Sequence, residues 1–122
     1  MAKTILIVDD SASVRQVVSI ALKQAGYDVV AAEDGMDALT KLDGRKLHLV
    51  ISDVNMPRLD GIGFITQMKA KPAYKFTPVI MLTTEAGDAK KQEGKAAGAK
   101  AWVVKPFQPA QLLSAVSMLV LP

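Results

Sequence analysis

Two adjacent carboxylates, Asp9 and Asp10, stand where the apolar run Ile5-Leu6-Ile7-Val8 ends. A third, Asp53, follows Leu49-Val50-Ile51 and Ser52, and Lys105 follows Trp102-Val103-Val104. If these runs are parallel strands, their C-terminal ends share one rim, where open α/β sheets place their sites. Like charges about 4 Å apart repel by roughly 4 kcal/mol at an effective dielectric near 20, so three converging carboxylates require a cation. Magnesium takes hard oxygen ligands at about 2.0–2.1 Å and commonly uses one or two carboxylates. Asp10 and Asp53 are candidate ligands, with Asp9 as a ligand through water or a second partner. Lys105 adds an ammonium able to pair with a carboxylate or phosphoryl oxygen, and Thr83, ending Val79-Ile80-Met81-Leu82, adds a hydroxyl. A metal, a lysine and a hydroxyl around one carboxylate suit a nucleophile that receives a phosphoryl group.

The elements that must position these groups are legible as alternating runs. Strands are predicted at Thr4–Val8, Asp28–Ala32, His48–Asp53, Val79–Thr83 and Ala101–Val104. Most are nearly unbroken apolar runs, as parallel strands covered on both faces should be. The first helix shows Val14, Val17, Val18, Ala21, Leu22 and Ala25 at helical spacing, with Ser13 and Gln16 spaced as a capping box and Gly26 as its stop. A short second helix follows the cap candidate Asp34 and buries Ala38 and Leu39. The third follows Asp60-Gly61, turns Ile62, Ile65 and Met68 inward and ends before Pro72. The fourth, roughly 88–97, is rich in lysine and alanine with an internal Gly94, which costs about 1 kcal/mol relative to alanine. It is expected to be weakly anchored. The fifth starts at Pro109 and buries Leu112, Leu113, Val116 and Leu119. Five strands alternating with five helices predict an α/β fold with a doubly wound, flavodoxin-like parallel sheet in the order 2-1-3-4-5. Its switch point lies between the first and third strands, beside Asp9, Asp10 and Asp53.

The 122 residues suit one domain spanning 1–122. There is no cysteine, which excludes disulfides, thiolate metal sites and cysteine nucleophiles and fits a cytoplasmic protein. No signal-peptide pattern opens the chain, and no apolar stretch approaches the roughly 20 residues of a membrane span. The net charge is +3, but the lysines are scattered without arginine–aromatic interleaving, so a nucleic-acid partner is not expected. Asp34 and Asp60 each precede a glycine and a helix, which makes them caps. His48, the sole histidine, has no ligand companions and reads as a strand entry.

The motifs Asp9-Asp10, Asp53-Val54-Asn55-Met56-Pro57-Arg58-Leu59-Asp60-Gly61, Met81-Leu82-Thr83-Thr84-Glu85 and Trp102-Val103-Val104-Lys105-Pro106-Phe107 occur in order along the chain. With this set the chain resembles a response-regulator receiver domain, and most of all the single-domain chemotaxis regulators of the CheY type. The resemblance implies that Asp53 is the phosphoacceptor for a histidine kinase of the CheA kind. It implies Mg²⁺ held by Asp10, Asp53 and the backbone carbonyl of Asn55, with Asp9 ligating through water. It makes Thr83 and Lys105 the contacts to the phosphoryl oxygens and the Lys105-Pro106 bond cis. Trp102 takes the place of the family's switch aromatic, more often tyrosine or phenylalanine; its indole offers only a donor. Asn55, Thr84 and Glu85 fall at positions that tune phosphoryl lifetime. Output is expected through the face of the fourth helix, fifth strand and fifth helix, toward a protein target such as a flagellar motor switch, with a phosphatase as a further partner. The protein is expected to be a monomer and a switch rather than a turnover enzyme.

Three other readings compete. A phosphatase of the haloacid-dehalogenase type also uses an aspartyl nucleophile, Mg²⁺ and a lysine, but it needs an acid–base aspartate where Asn55 stands. A flavodoxin-like flavin module needs a phosphate loop that Asp9-Asp10 would repel. A receiver that acts only as a phosphate sink shares every site residue and differs only in its target.

Overall fold

The computed structural model describes residues 3–83, 95 and 97–120. Five strands, β1 (Thr4–Val8), β2 (Asp28–Ala32), β3 (Leu49–Asp53), β4 (Val79–Thr83) and β5 (Ala101–Val104), form one sheet in the order β2-β1-β3-β4-β5. Every pairing is parallel. Four α-helices are described: α1 (Ala12–Gln24), α2 (Gly35–Thr40), α3 (Gly61–Lys69) and the C-terminal α4 (Pro109–Leu119). The fourth helix predicted from sequence falls mostly outside the described residues; Lys95 and Ala97, near its end, are helical.

Because successive strand residues face opposite sides of the sheet, the core divides in two. Leu6, Val8, Val50, Val79 and Met81 join Ala38, Phe64, Ile65 and Met68 of α2 and α3. Ile5, Ile7, Leu49, Ile51, Ile80, Leu82 and Val103 join Val18 and Leu22 of α1 and Leu112 and Val116 of α4. Both faces are covered, which is why these strands read as unbroken apolar runs rather than as alternation.

Several local expectations are corrected. β3 starts at Leu49 rather than His48; the His48 ring instead uses Nδ1 to accept the Thr4 N–H at 3.0 Å. Helix α1 is capped by Ser11, not by a Ser13–Gln16 box: Ser11 Oγ accepts the Val14 N–H at 3.3 Å. The Asp9 carboxylate accepts the Ser11 N–H at 2.9 Å, and this local turn brings the chain into helix two residues before Ser13 could cap it. In α3, Phe64 is fully buried, while Ile62 is only partly so. A single 3₁₀ turn at Pro72–Tyr74 was not foreseen. The Gly26 stop holds: the Gly26 N–H donates to Lys23 O and the Tyr27 N–H to Leu22 O, with φ +96 at the glycine. Asp34 and Asp60 cap α2 and α3 as expected, accepting the Asp37 and Gly63 N–H groups. Among the described residues no helix is long and apolar enough to cross a membrane.

Candidate functional site

Strand register assembles the rim. Val8 is level with Ser52, so Asp9, one residue on, is level with Asp53, the last residue of β3. Asp53 is level with Leu82, which puts Thr83 one step further along β4. Thr83 is level with Val104, and Lys105 follows directly. Two backbone bonds lock these ends: the Val54 N–H donates to Leu82 O at 3.0 Å and the Lys105 N–H to Thr83 O at 2.7 Å.

The carboxylates of Asp9, Asp10 and Asp53 converge, with one oxygen of each within 4.8 Å of the others. Asp9 is fully buried, Asp53 is 6% exposed and Asp10 faces solvent. Lys105 Nζ lies 2.7 Å from Asp9 Oδ2 and 3.3 Å from Asp53 Oδ2. Asp9 is held from both sides, since its Oδ1 accepts the Ser11 N–H. Burial, then the charge of Asp9, push the Asp53 carboxyl up to about 6, against the pull of Lys105; Asp10 adds to the rise. Burial draws the Lys105 ammonium down, but hydrogen bonds and charge from Asp9 and Asp53 outweigh it and raise its pKa.

This donor set fits Mg²⁺. It is all oxygen, it crowds negative charge onto one point, and it has a solvent-facing member, Asp10, through which a cation and its waters can enter. Asn55 is exposed two residues beyond Asp53, in the loop before α3. Gly61 closes that loop against the strand. Its N–H donates to Val54 O at 2.9 Å, and a Cβ there would lie 2.0 Å from Asp53 O. Only glycine allows this approach, so the start of α3 is seated directly on the Asp53 backbone.

Thr83 is completely buried at the end of β4. Trp102 is partly buried on the α2–α3 side of the sheet, and its Nε1 is buried with no hydrogen-bond partner among the described residues. The Lys105-Pro106 bond is cis, as the resemblance implied. Thr84 and Glu85 lie outside the described residues. Arg15 was missed from sequence: its Nη1 donates to the Asp9 carbonyl at 2.7 Å and fixes the peptide that joins the two acidic residues. The available signal was a cation in the first turn of a helix, where the macrodipole disfavours it. The pairing of Arg58 with Asp34 was missed as well.

A doubly wound sheet with acidic residues after β1 and at the end of β3, and a lysine after β5, defines a receiver of the two-component type. The response regulator receiver domain matches residues 5–117, and the chain belongs to that family. It is 38% identical to protein PilG of Pseudomonas aeruginosa over 112 residues, covering 92% of this chain and 83% of that protein. The structure of chemotaxis protein CheY4 of Vibrio cholerae superposes with a TM-score of 0.94 at 48% identity, covering 98% of this chain and 99% of that one. The receiver domain of the sensor histidine kinase PA1611 of P. aeruginosa, solved with magnesium coordinated in its active-site cleft, gives a TM-score of 0.90 at 25% identity, with 98% of both chains covered.

Proposed function

We propose that Asp53 accepts a phosphoryl group from a phosphohistidine of a histidine kinase, and that this switches the protein between two states with different affinity for a target. The observation that carries the reading is the convergence of Asp9, Asp10 and Asp53 with Lys105 set between the two buried members. Asp10, Asp53 and the Asn55 carbonyl would hold Mg²⁺, with Asp9 behind them acting through water; both Asp9 oxygens already have donors, which suits the outer role. When bound, the metal supplies charge neutralisation for the phosphoryl oxygens.

The chain's own residues do the rest. An Asp53 carboxylate oxygen attacks phosphorus as the bond from phosphorus to the histidine nitrogen breaks, and that nitrogen recovers its proton from solvent. Lys105 pairs with a phosphoryl oxygen as its contact to Asp53 gives way, and the Thr83 hydroxyl meets another. The product places about −2 charge on a buried residue, which pulls Thr83 inward and frees space for Trp102. The face around β5 and α4 changes with it. Asn55 cannot transfer a proton, so the site takes up a phosphoryl group without an acid–base residue to discharge it quickly. That favours a switch over a phosphatase. Likeness to the chemotaxis protein CheY4 supports a place in chemotaxis signalling, and the proposed target is a motor switch or other motility device.

The test is intact mass after incubation with acetyl phosphate and Mg²⁺. Wild type should gain one phosphoryl group and Asp53→Asn should not; an unmodified, correctly folded wild type would refute the reading.

A further inference from the structure

The loop joining β3 to α3 contains the only non-glycine residue of positive φ among the described residues, Arg58 at φ +67. The Leu59 N–H donates to Pro57 O at 2.8 Å across it, which closes a γ-turn of the rare, strained hand. Asparagine, aspartate and glycine are the usual occupants of such backbone. The Arg58 side chain explains its presence there. Its Nε donates to Asp34 Oδ2 at 2.7 Å and its Nη2 to Asp34 Oδ1 at 2.9 Å, a two-bond fork onto the residue that caps α2. The Asp34 carboxylate is nearly buried, whereas the Arg58 side chain is mostly exposed. The hydrogen bonds from Arg58 hold the Asp34 carboxyl below the usual carboxylate range.

The backbone is fastened at the same place. The Gly35 N–H donates to Leu59 O at 3.1 Å, and a Cβ at Gly35 would meet that oxygen at 2.4 Å. The loop is thus clamped to α2 at Leu59 and Arg58 and to β3 at Gly61. Asn55 sits inside the clamped segment.

We propose that Asp34 and Arg58 are positioning residues for the metal site: their bridge holds the 55–60 loop in its strained turn and so fixes the Asn55 carbonyl relative to Asp53. This rests on the reading of Asn55 as a metal ligand. Nothing in the bridge touches the reacting atoms. It acts as outer partners of metal sites do, whose loss typically weakens binding about 10–100-fold.

At Arg58, electrostatics and positioning predict opposite signs, which makes the proposal testable. If Arg58 acted only through its charge, removing it would strengthen cation binding, while removing the Asp34 charge would weaken it. Positioning requires both changes to weaken it. Arg58→Gly accepts the positive φ without strain, and Asp34→Asn keeps a competent cap, so both should fold. Mg²⁺ titration by calorimetry should give a dissociation constant raised about tenfold in Arg58→Gly, in Arg58→Ala and in Asp34→Asn. The double variant Asp34→Asn/Arg58→Gly should be no worse than either single one. In metal-free protein, the amides of Gly35, Leu59 and Gly61 should exchange faster in all of these than in wild type.

Unchanged exchange at those amides overturns the proposal, as does Mg²⁺ affinity that is unchanged or higher in Arg58→Gly. A loss of thermal stability without a change in Mg²⁺ affinity overturns it too, because a merely structural bridge would give that result. Failure of the underlying reading looks different: wild type itself would then show no Mg²⁺ binding.

Discussion

Lys105 Nζ is closer to Asp9, at 2.7 Å, than to Asp53, at 3.3 Å. The lysine is therefore anchored on Asp9 and leans toward Asp53, the proposed phosphoacceptor. That arrangement leaves Asp53 its elevated pKa while lowering the cost of burying Asp9 beside it.

Lys105 would also compete with a bound metal for the same charge. Lys105→Met should tighten Mg²⁺ binding by about tenfold, the order expected for removing one positive charge a few ångströms away in a partly screened site. It should also slow labelling by acetyl phosphate. Calorimetry and intact mass on one preparation give both results; weaker Mg²⁺ binding would contradict the competition.

The Asp53 carboxyl, pushed up to about 6, fixes a pH dependence. Its folded-state pKa exceeds the ordinary 3.8, so between these values the folded state binds more protons than the unfolded state. Its contribution to stability is fully present below about pH 4 and is lost as pH rises toward 6. Without metal, Asp53→Asn should be more stable than wild type at pH 7, by about 2–3 kcal/mol, and the gap should close by pH 4. Urea midpoints at the two pH values check this. Mg²⁺ affinity of the wild type should run the other way, weakening as pH falls below 6.

Gly61→Ala places a methyl group against the Asp53 carbonyl. The backbone must move to make room, at about 1–3 kcal/mol. Because the displaced atoms belong to the proposed phosphoacceptor, acetyl phosphate labelling should fall with stability. Labelling at the wild-type rate, measured where the variant remains folded, would show that α3 does not set the position of Asp53.

Trp102 carries a buried N–H without a described partner, a deficit of about 1–3 kcal/mol. Trp102→Phe removes the deficit along with some apolar area, so stability should change by less than about 1 kcal/mol, unlike an ordinary core aromatic truncation. The indole is also the natural reporter of the proposed switch. Its emission should respond to Mg²⁺ with beryllofluoride in wild type and should respond differently in Thr83→Ala. Identical responses would show that Thr83 is not the link.

What the sequence displays, and what it hides, follow from the range of each interaction. β1, β2, β4 and β5 have the boundaries expected, because parallel strands covered on both faces are bounded apolar runs, closed or followed by a polar residue: Asp9, Glu33, Thr83 and Lys105. Register then carries Asp9, Asp53, Thr83 and Lys105 to one rim. The start of α1 was misplaced because a side chain outside the helix, Asp9, takes the Ser11 amide, and the apolar spacing along the helix does not record that. Phe64 escapes a reading of the third helix that turns Ile62, Ile65 and Met68 inward, although it is fully buried. The Asp34–Arg58 fork joins residues 24 positions apart and belongs to no period. No local pattern announces such a pair, and only the folded chain reveals that an arginine in a γ-turn has a reason to be there.

The parallel order of the strands has a further consequence. Residues 9, 53, 83 and 105 reach the rim from four strands, and β5, which delivers Lys105, docks on the outer edge of the sheet beside β4. No contiguous fragment short of that edge contains the whole cluster. During synthesis the chain can collapse around β1 and β3 while the basic member of the site is still absent, since Lys105 lies more than 50 residues beyond β3 and emerges later. On the proposed function, competence to receive a phosphoryl group would certify that β5 is in place, and an unfinished molecule would stay silent.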